Sequence, residues 1–305
     1  MQNVTLKFYP SSKPELRLFA LWYFGILITL WTILGHLWLG FEQSWAQPVA
    51  AIAAASVTHL LLEWIDARSK GRQPRYAAGG WSAAHFFVPA VIPGAAVGML
   101  LSTNELIWPM VFAAALSIAS KVIVRAPVGN ATQHVFNPSN FGITLTLVFL
   151  PFVGLAPPYH FTTNVAGAWN WIIPGVILAS GILIHAVSTG RLPLIAAWIG
   201  GFLIQALVRA WWFDIPVLVP LVPMTSAAFI LFTLYMIPDP ATTPLDTRRQ
   251  IAFGLAVAGM YGVLQGAGVV FALFLALFLV CALRGIGLYL QAVAIPWPAL
   301  LARRA

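Results

Sequence analysis

The chain has 305 residues, of which 60% are apolar and 8% charged, and its mean hydropathy is +0.88. Soluble domains carry about 25% charged residues, so this composition excludes a water-soluble surface and leaves lipid as the main solvent. The net charge of +8 lies in short loops and forms no dense Lys/Arg face, which argues for an anionic membrane leaflet and against nucleic acid as partner. The single cysteine, Cys281, lies in an apolar run and cannot by itself build a disulfide, a zinc site or a cluster.

A bilayer core of about 30 Å takes roughly 20 residues of helix, and on that measure the chain reads as about ten spans. The polar opening, MQNVTLKFYPSSKPELR, leads into an apolar stretch too long for a signal-peptide core and not followed by a small-residue cleavage site. It is therefore read as a short cytoplasmic tail, 1–17, and a retained first span, 18–41. The next four spans are expected at 48–65, 85–101, 106–124 and 141–155. The last five are expected at 171–187, 192–210, 217–237, 251–264 and 269–290.

The loops give the orientation. Lys7, Lys13 and Arg17, then Arg68, Lys70, Arg72 and Arg75, then Lys121 and Arg125, Arg191, Arg248 and Arg249, and finally Arg303 and Arg304 fall on one side. The loops around Glu42, Asn104, His160 and 265–268 carry no Lys or Arg. This places both termini in the cytoplasm of a bacterial inner membrane protein. Arg209 departs from the pattern, with Asp214 nearby able to compensate it, and Arg284 either snorkels or marks an earlier end of the last span. Trp45, Trp81, Trp108, Trp169, Trp171, Trp211, Trp212 and Trp297 sit near span ends as an aromatic belt. The fold class is thus all-α, a single polytopic membrane domain over 1–305. Two sets of five helices would enter from opposite faces, as inverted repeats.

Polar groups inside hydrocarbon are costly and mark candidate sites. His59 and Glu63 are four residues apart on one helical face. They suit an ion or proton pathway, or a structural pair that pins the second span. The stretch KVIVRAPVGNATQHVFNPSN, 121–140, gathers Lys121, Arg125, Asn130, Gln133, His134, Asn137, Ser139 and Asn140 at a membrane border. Its amides offer paired donors and acceptors for an uncharged heteroaromatic edge, and its cations can face a phosphate or a reduced ring; the other reading is a turn whose amides satisfy one another. The stretch MIPDPATTPLDTRRQ, 236–250, holds Asp239, Thr242, Thr243 and Asp246 at a span mouth, either as a site or as a rigid turn that caps the next helix. His185 with Ser188, Thr189 and Gly190 reads as a helix terminus. The loop with His160, Thr162, Thr163 and Asn164 reads as solvated. No Walker A loop, HExxH, GxSxG or CxxCH occurs, which counts against ATP-driven transport by this chain, hydrolysis and haem c.

Two segments resemble a known family. HVFNPSNFGITL resembles the H-x-F-N-P motif of the RnfD and NqrB membrane subunits, and IPDPATTPLDTRRQIAFGLAVAGMYGVLQ resembles their later segment leading into a span. Within that superfamily the chain is most similar to short RnfD-like proteins of the UnbU type. The resemblance implies a redox subunit of an ion-translocating complex, with other subunits as partners. It implies a flavin near Arg125, His134, Asn137 and Asp239, with Asn140 and Thr242 beside them. The family's S-G-A-T motif, whose threonine carries covalent FMN, is missing, and Thr162 and Thr163 do not replace it. The flavin, riboflavin or FMN, is therefore expected to be noncovalent. The competing expectations are a transporter or channel for a small or hydrophobic solute, such as a pathway product, and a structural subunit without cofactor.

Overall fold

Helix is the form in which a chain in lipid satisfies its own backbone, and the computed structural model is 74% helix. It describes residues 14–128, 131–157 and 159–294; Lys7, Lys13, Asn130, Trp297, Arg303 and Arg304 lie outside them. Helix α1 (Pro14–Leu34) runs into a π turn (Gly35–Leu39), and α2 (Ala46–Ser69) and α3 (Gly80–Leu100) follow. Next come α4 (Trp108–Ile123), α5 (Pro138–Phe149) and α6 (Trp169–Ile184), the last extended by a second π turn (His185–Thr189). The chain continues through α7 (Leu192–Trp212), α8 (Ala227–Leu231), α9 (Thr247–Gly266) and α10 (Ala272–Ala294).

Among the described residues six helices are long and apolar enough to cross a membrane, seven if a bent pair counts as one span. That is fewer than the ten expected spans, and the differences have local causes. The expected span 217–237 is a 3-10 turn (Val219–Thr225) that meets α8 and its π turn (Phe232–Met236) at 72°. Pro220 and Pro223 in the 3-10 turn remove backbone donors there. The expected span 141–155 is the shorter α5. It starts earlier because the Asn137 side chain caps it by accepting from the Asn140 amide, and it stops ahead of Pro151, which disfavours helix at Leu150. Helix α4 has 16 residues. Helix α9 opens on Arg248, Arg249 and Gln250 and holds four glycines.

Two short antiparallel strand pairs, one of them a hairpin, interrupt the helical pattern. Strand β1 (Leu101–Ser102) pairs with β4 (Gly154–Leu155) at one end of the bundle. Strand β2 (Arg125–Val128) pairs with β3 (Ala131–His134) at the other, with Arg125 opposite His134. The polar stretch expected to line a cavity therefore includes a hairpin that its composition does not announce.

Close helix approach rests on missing side chains, as is usual in lipid, where packing replaces the hydrophobic drive. A Cβ on Gly142 of α5 would stand 2.1 Å from the Ala113 carbonyl of α4, and one on Gly98 of α3 would stand 2.7 Å from Pro48 Cα of α2. A Cβ on Gly254 of α9 would stand 2.6 Å from the Leu194 carbonyl of α7. Large apolar side chains such as Ile26, Leu37, Trp171, Trp211 and Val263 point outward, between 60% and 83% exposed. Asp214 has left-handed backbone (φ 49) and forms no ion pair with Arg209, so the expected compensation does not occur.

Candidate functional site

Because successive helices alternate in direction, the start of α1, the ends of α2, α4 and α6, and the starts of α5, α7 and α9 gather at one end of the bundle. A cavity of about 550 Å³ opens there, within the range typical of small-molecule sites. Its walls are apolar, built from Leu21, Phe24 and Leu27 of α1 and Ile92 and Ala96 of α3. Polar groups enter from Lys121, Arg125, His134, Asn137, Arg191 and Asp239.

Helix α3 contains Pro89 and Pro93, one turn apart. Pro93 has no N–H, so the Pro89 carbonyl loses its helical partner. Lys121 Nζ donates to that carbonyl at 3.1 Å, which fixes the ammonium on the cavity wall with donors to spare. Arg125 is committed to structure. Its Nε and Nη2 donate to the hydroxyl and carbonyl of Thr132 at 3.0 and 2.7 Å, and its Nη1 donates to the Lys121 carbonyl at 2.8 Å. The Tyr289 hydroxyl of α10 donates to the Arg125 carbonyl and ties the hairpin to the bundle. His134 Nδ1 lies 2.9 Å from the Phe136 carbonyl. A proton on that nitrogen leaves Nε2 of the neutral ring as an acceptor.

Asn137 is the hub of the site. Its Oδ1 accepts from the Ser139 hydroxyl at 2.8 Å and the Asn140 amide at 3.0 Å. Its Nδ2 donates to the Met236 carbonyl at 3.3 Å and to Asp239 Oδ2 at 3.4 Å. Asp239 Oδ1 accepts from the Ala241 amide at 3.0 Å, and its backbone carbonyl accepts from the Thr242 and Thr243 amides and from the Thr243 hydroxyl. The long bond at Oδ2 leaves that oxygen room for another donor. The two segments singled out in the sequence therefore meet through Asn137 and Asp239.

Asn140 and Thr242 lie close behind this wall and do not line the cavity. Asn140, buried, donates through Nδ2 to the Phe274 carbonyl at 3.1 Å. Thr242, also buried, turns its hydroxyl to the Asp239 carbonyl at 3.4 Å. Arg191 and Tyr235 also line the cavity, and the sequence does not single them out as site residues. Arg191 is fully buried; its Nε donates to the Thr243 hydroxyl at 2.8 Å, and its Nη1 and Nη2 donate to the Thr189 and Pro240 carbonyls at 3.2 Å. Tyr235 shares a 2.6 Å hydrogen bond with the Ser180 hydroxyl. Arg191 reads in the sequence as an ordinary loop cation, and only its neighbours Gly190 and Pro193, which break the chain on both sides, hinted at a constrained place.

His59 and Glu63 share a face of α2 as their spacing implies, outside the cavity lining. His59 stacks on Phe86 with ring centroids 4.3 Å apart. Glu63 Oε1 accepts from Arg72 Nη1 at 2.7 Å and the Arg75 amide at 2.8 Å, and Oε2 accepts from Arg75 Nε and Nη2 at 2.9 and 2.7 Å. Arg72 also reaches Asp66 at 2.5 Å. Hydrogen bonding to Glu63 first, then to Asp66, holds the Arg72 guanidinium above its ordinary proton affinity. The cluster pins the 70–79 loop onto α2.

His185 Nδ1 accepts from the Thr189 hydroxyl at 2.6 Å, and its Nε2 donates to the Leu234 carbonyl at 2.5 Å, a terminus bond that also joins α6 to the π turn after α8. At the far end of the bundle the loop read as solvated is partly buried. His160 is 4% exposed and stacks on Phe41. Burial, then the proximity of His36, pushes its pKa down to about 4. The Thr162 and Thr163 hydroxyls close on the Tyr159 carbonyl at 3.1 and 3.0 Å.

What the arrangement can do is hold a flat or elongated molecule between apolar walls, with a cation on one side and a carboxylate on the other. A flavin fits that chemistry: Lys121 and His134 can face ring carbonyls and nitrogens, and Asp239 Oδ2 can accept from a ring N–H. Comparison with protein-family models and with curated proteins gives no match, so this geometry is what a reading of the chain rests on.

Proposed function

We propose that the chain is a membrane electron-transport subunit that holds riboflavin or FMN noncovalently in the cavity of Lys121 and Asp239, as part of a larger redox complex in the bacterial inner membrane. The observation that carries the reading is the convergence of an ammonium and a carboxylate, both with unused hydrogen-bonding capacity, on one mostly apolar cavity. A flavin supplies one- and two-electron transfer when bound. The chain's own part is to orient the ring through Lys121, His134 and Asp239, to exclude water with α1 and α3, and to hold Asp239 in place through Asn137. Arg125, Asn140 and Thr242 support the wall from behind. Ion or proton movement near His59 and Glu63 belongs to the same reading. Both Glu63 oxygens are occupied, so His59 is the group left to exchange a proton.

The finer architecture is also proposed. All ten helices lie in the membrane, the shorter α4, α5, α8 and α9 within the bundle, with both termini cytoplasmic. Two matching features favour inverted repeats of α1–α5 and α6–α10. The first helix of each half ends in a π turn closed by a left-handed glycine, Gly40 (φ 75) and Gly190 (φ 65). The second helix of each half packs on the fourth, α2 on α4 and α7 on α9.

A visible spectrum of protein purified in mild detergent tests the function. The two absorption bands of an oxidised flavin are expected, released from the polypeptide by acid. A colourless preparation sinks the redox reading. It would favour the second one, transport of a small or hydrophobic solute, for which the length of the cavity speaks: it follows α1 from Arg17 to Trp31, about 21 Å of helix.

A further inference from the structure

The far end of α7 and α9 carries a second concavity, distinct from the cavity and facing outward. It is lined by Gly201, Gln205 and Arg209 of α7 and by Gly259 and Gly262 of α9, with Trp212 at its rim. The neighbours that frame it are turned to the surroundings: Ile204, Val208, Trp212 and Val263 are 53% to 71% exposed. From Gly201 to Trp212 the groove follows about 16 Å of helix, the depth of one leaflet of a core about 30 Å thick.

Two polar groups in this apolar groove each keep an atom without a partner. Among the described residues no carboxylate lies within ion-pair distance of Arg209, and its Nη1 has no hydrogen-bond partner. The Tyr261 hydroxyl hydrogen-bonds to the guanidinium, but a hydroxyl supplies no countercharge. Gln205 is 9% exposed; its Nε2 donates to the Phe202 carbonyl at 2.8 Å, and its Oε1 has no donor. That oxygen lies 3.2 Å from where a Cβ on Gly262 would stand, at the floor of the groove. An unpaired cation at the level of the aromatic rim needs an anion there, and the leaflet supplies one as lipid phosphate. Gly201 and Gly262 let α7 and α9 close on each other, where a Cβ would stand 2.7 Å from the Ala258 Cβ and 3.0 Å from the Gln205 Cβ, and Gly259 beside them leaves open space along the groove.

We propose that this groove is a binding site for an anionic phospholipid, its phosphate on Arg209 and one acyl chain passing over Gly259. Native mass spectrometry of detergent-extracted protein, supplied with phosphatidylglycerol or with phosphatidylcholine of the same chains, tests it. Phosphatidylglycerol is expected to be retained about fivefold better. Arg209→Gln loses the preference and Arg209→Lys keeps it. Gly259→Leu, whose side chain enters open space, lowers retention of both lipids at an unchanged thermal midpoint. Wild-type protein without a preference, or equal retention by wild type and Arg209→Gln, overturns the proposal. So does a stable dimer in light scattering that Gly259→Leu splits, which assigns the groove to a second copy.

Discussion

Two charged clusters lie at the same end of the bundle and are built in opposite ways. Around Glu63 four donors from Arg72 and Arg75 meet two carboxylate oxygens, and the accounting closes. Around Asp239 one carboxylate oxygen accepts from the Ala241 amide and the other has one long contact from Asn137, and Lys121 uses a single bond to the Pro89 carbonyl. Nearly equal chemistry thus produces a fastening in one place and an open receptor in the other. A polar group in lipid is explained only after its partners are counted: saturation signals architecture, and spare capacity signals a ligand.

The sharpest way to break this contrast is to swap the effects. Glu63→Gln removes a buried charge from under two guanidinium groups, and partly exposed arginines recover some hydration. The expected loss is about 2 kcal/mol of stability, read as a fall of several degrees in the thermal midpoint in detergent, with flavin content per protein unchanged. Lost flavin at an unchanged midpoint would reverse the roles assigned to the two clusters. Asp239→Asn and Lys121→Met are expected to do the opposite, lowering retained flavin about tenfold, as for a lost hydrogen bond to a charged group, while the midpoint moves little. Asn137→Ala lies between them. It removes the α5 cap, worth about 1 kcal/mol, and frees Asp239, so both readings fall together; a variant with full flavin content would separate Asn137 from the site.

The smallest effect is expected at the far end of the bundle. His160 is held neutral by burial, with its pKa lowered from 6.5 to about 4. The unfolded chain takes up the proton first as pH falls, so stability present above about pH 6.5 drains away between there and pH 4. A thermal midpoint measured across that window should drop, and His160→Phe should flatten the drop. An identical slope in the variant would remove His160 from the account.

Much of the site was legible because its markers act locally. Asp246 does accept from the Arg249 amide at 3.1 Å, as its position ahead of α9 implied. Arg125, His134, Asn137 and Asp239 do line one cavity. Asn140 and Thr242 stand next to these residues in sequence, yet α5 turns Asn140 toward the Phe274 carbonyl, and the turn after Asp239 closes the Thr242 hydroxyl on the Asp239 carbonyl. Arg191 and Tyr235 escaped notice because their surroundings come from distant segments, Thr243 and Pro240 for one and Ser180 for the other. The broken helix at 219–236 was hidden by its own hydropathy, which registers apolar length and does not register the bend that Pro220 and Pro223 allow.

By itself, then, the order of residues determined the solvent of this molecule, its helical class and its local breaks, since each follows from hydropathy, backbone donors and caps within a few residues. The tertiary structure alone decided which polar groups are spent on one another and which remain available. That choice depends on partners about a hundred residues away, as Asn137 and Asp239 are, and only packing brings such partners within reach.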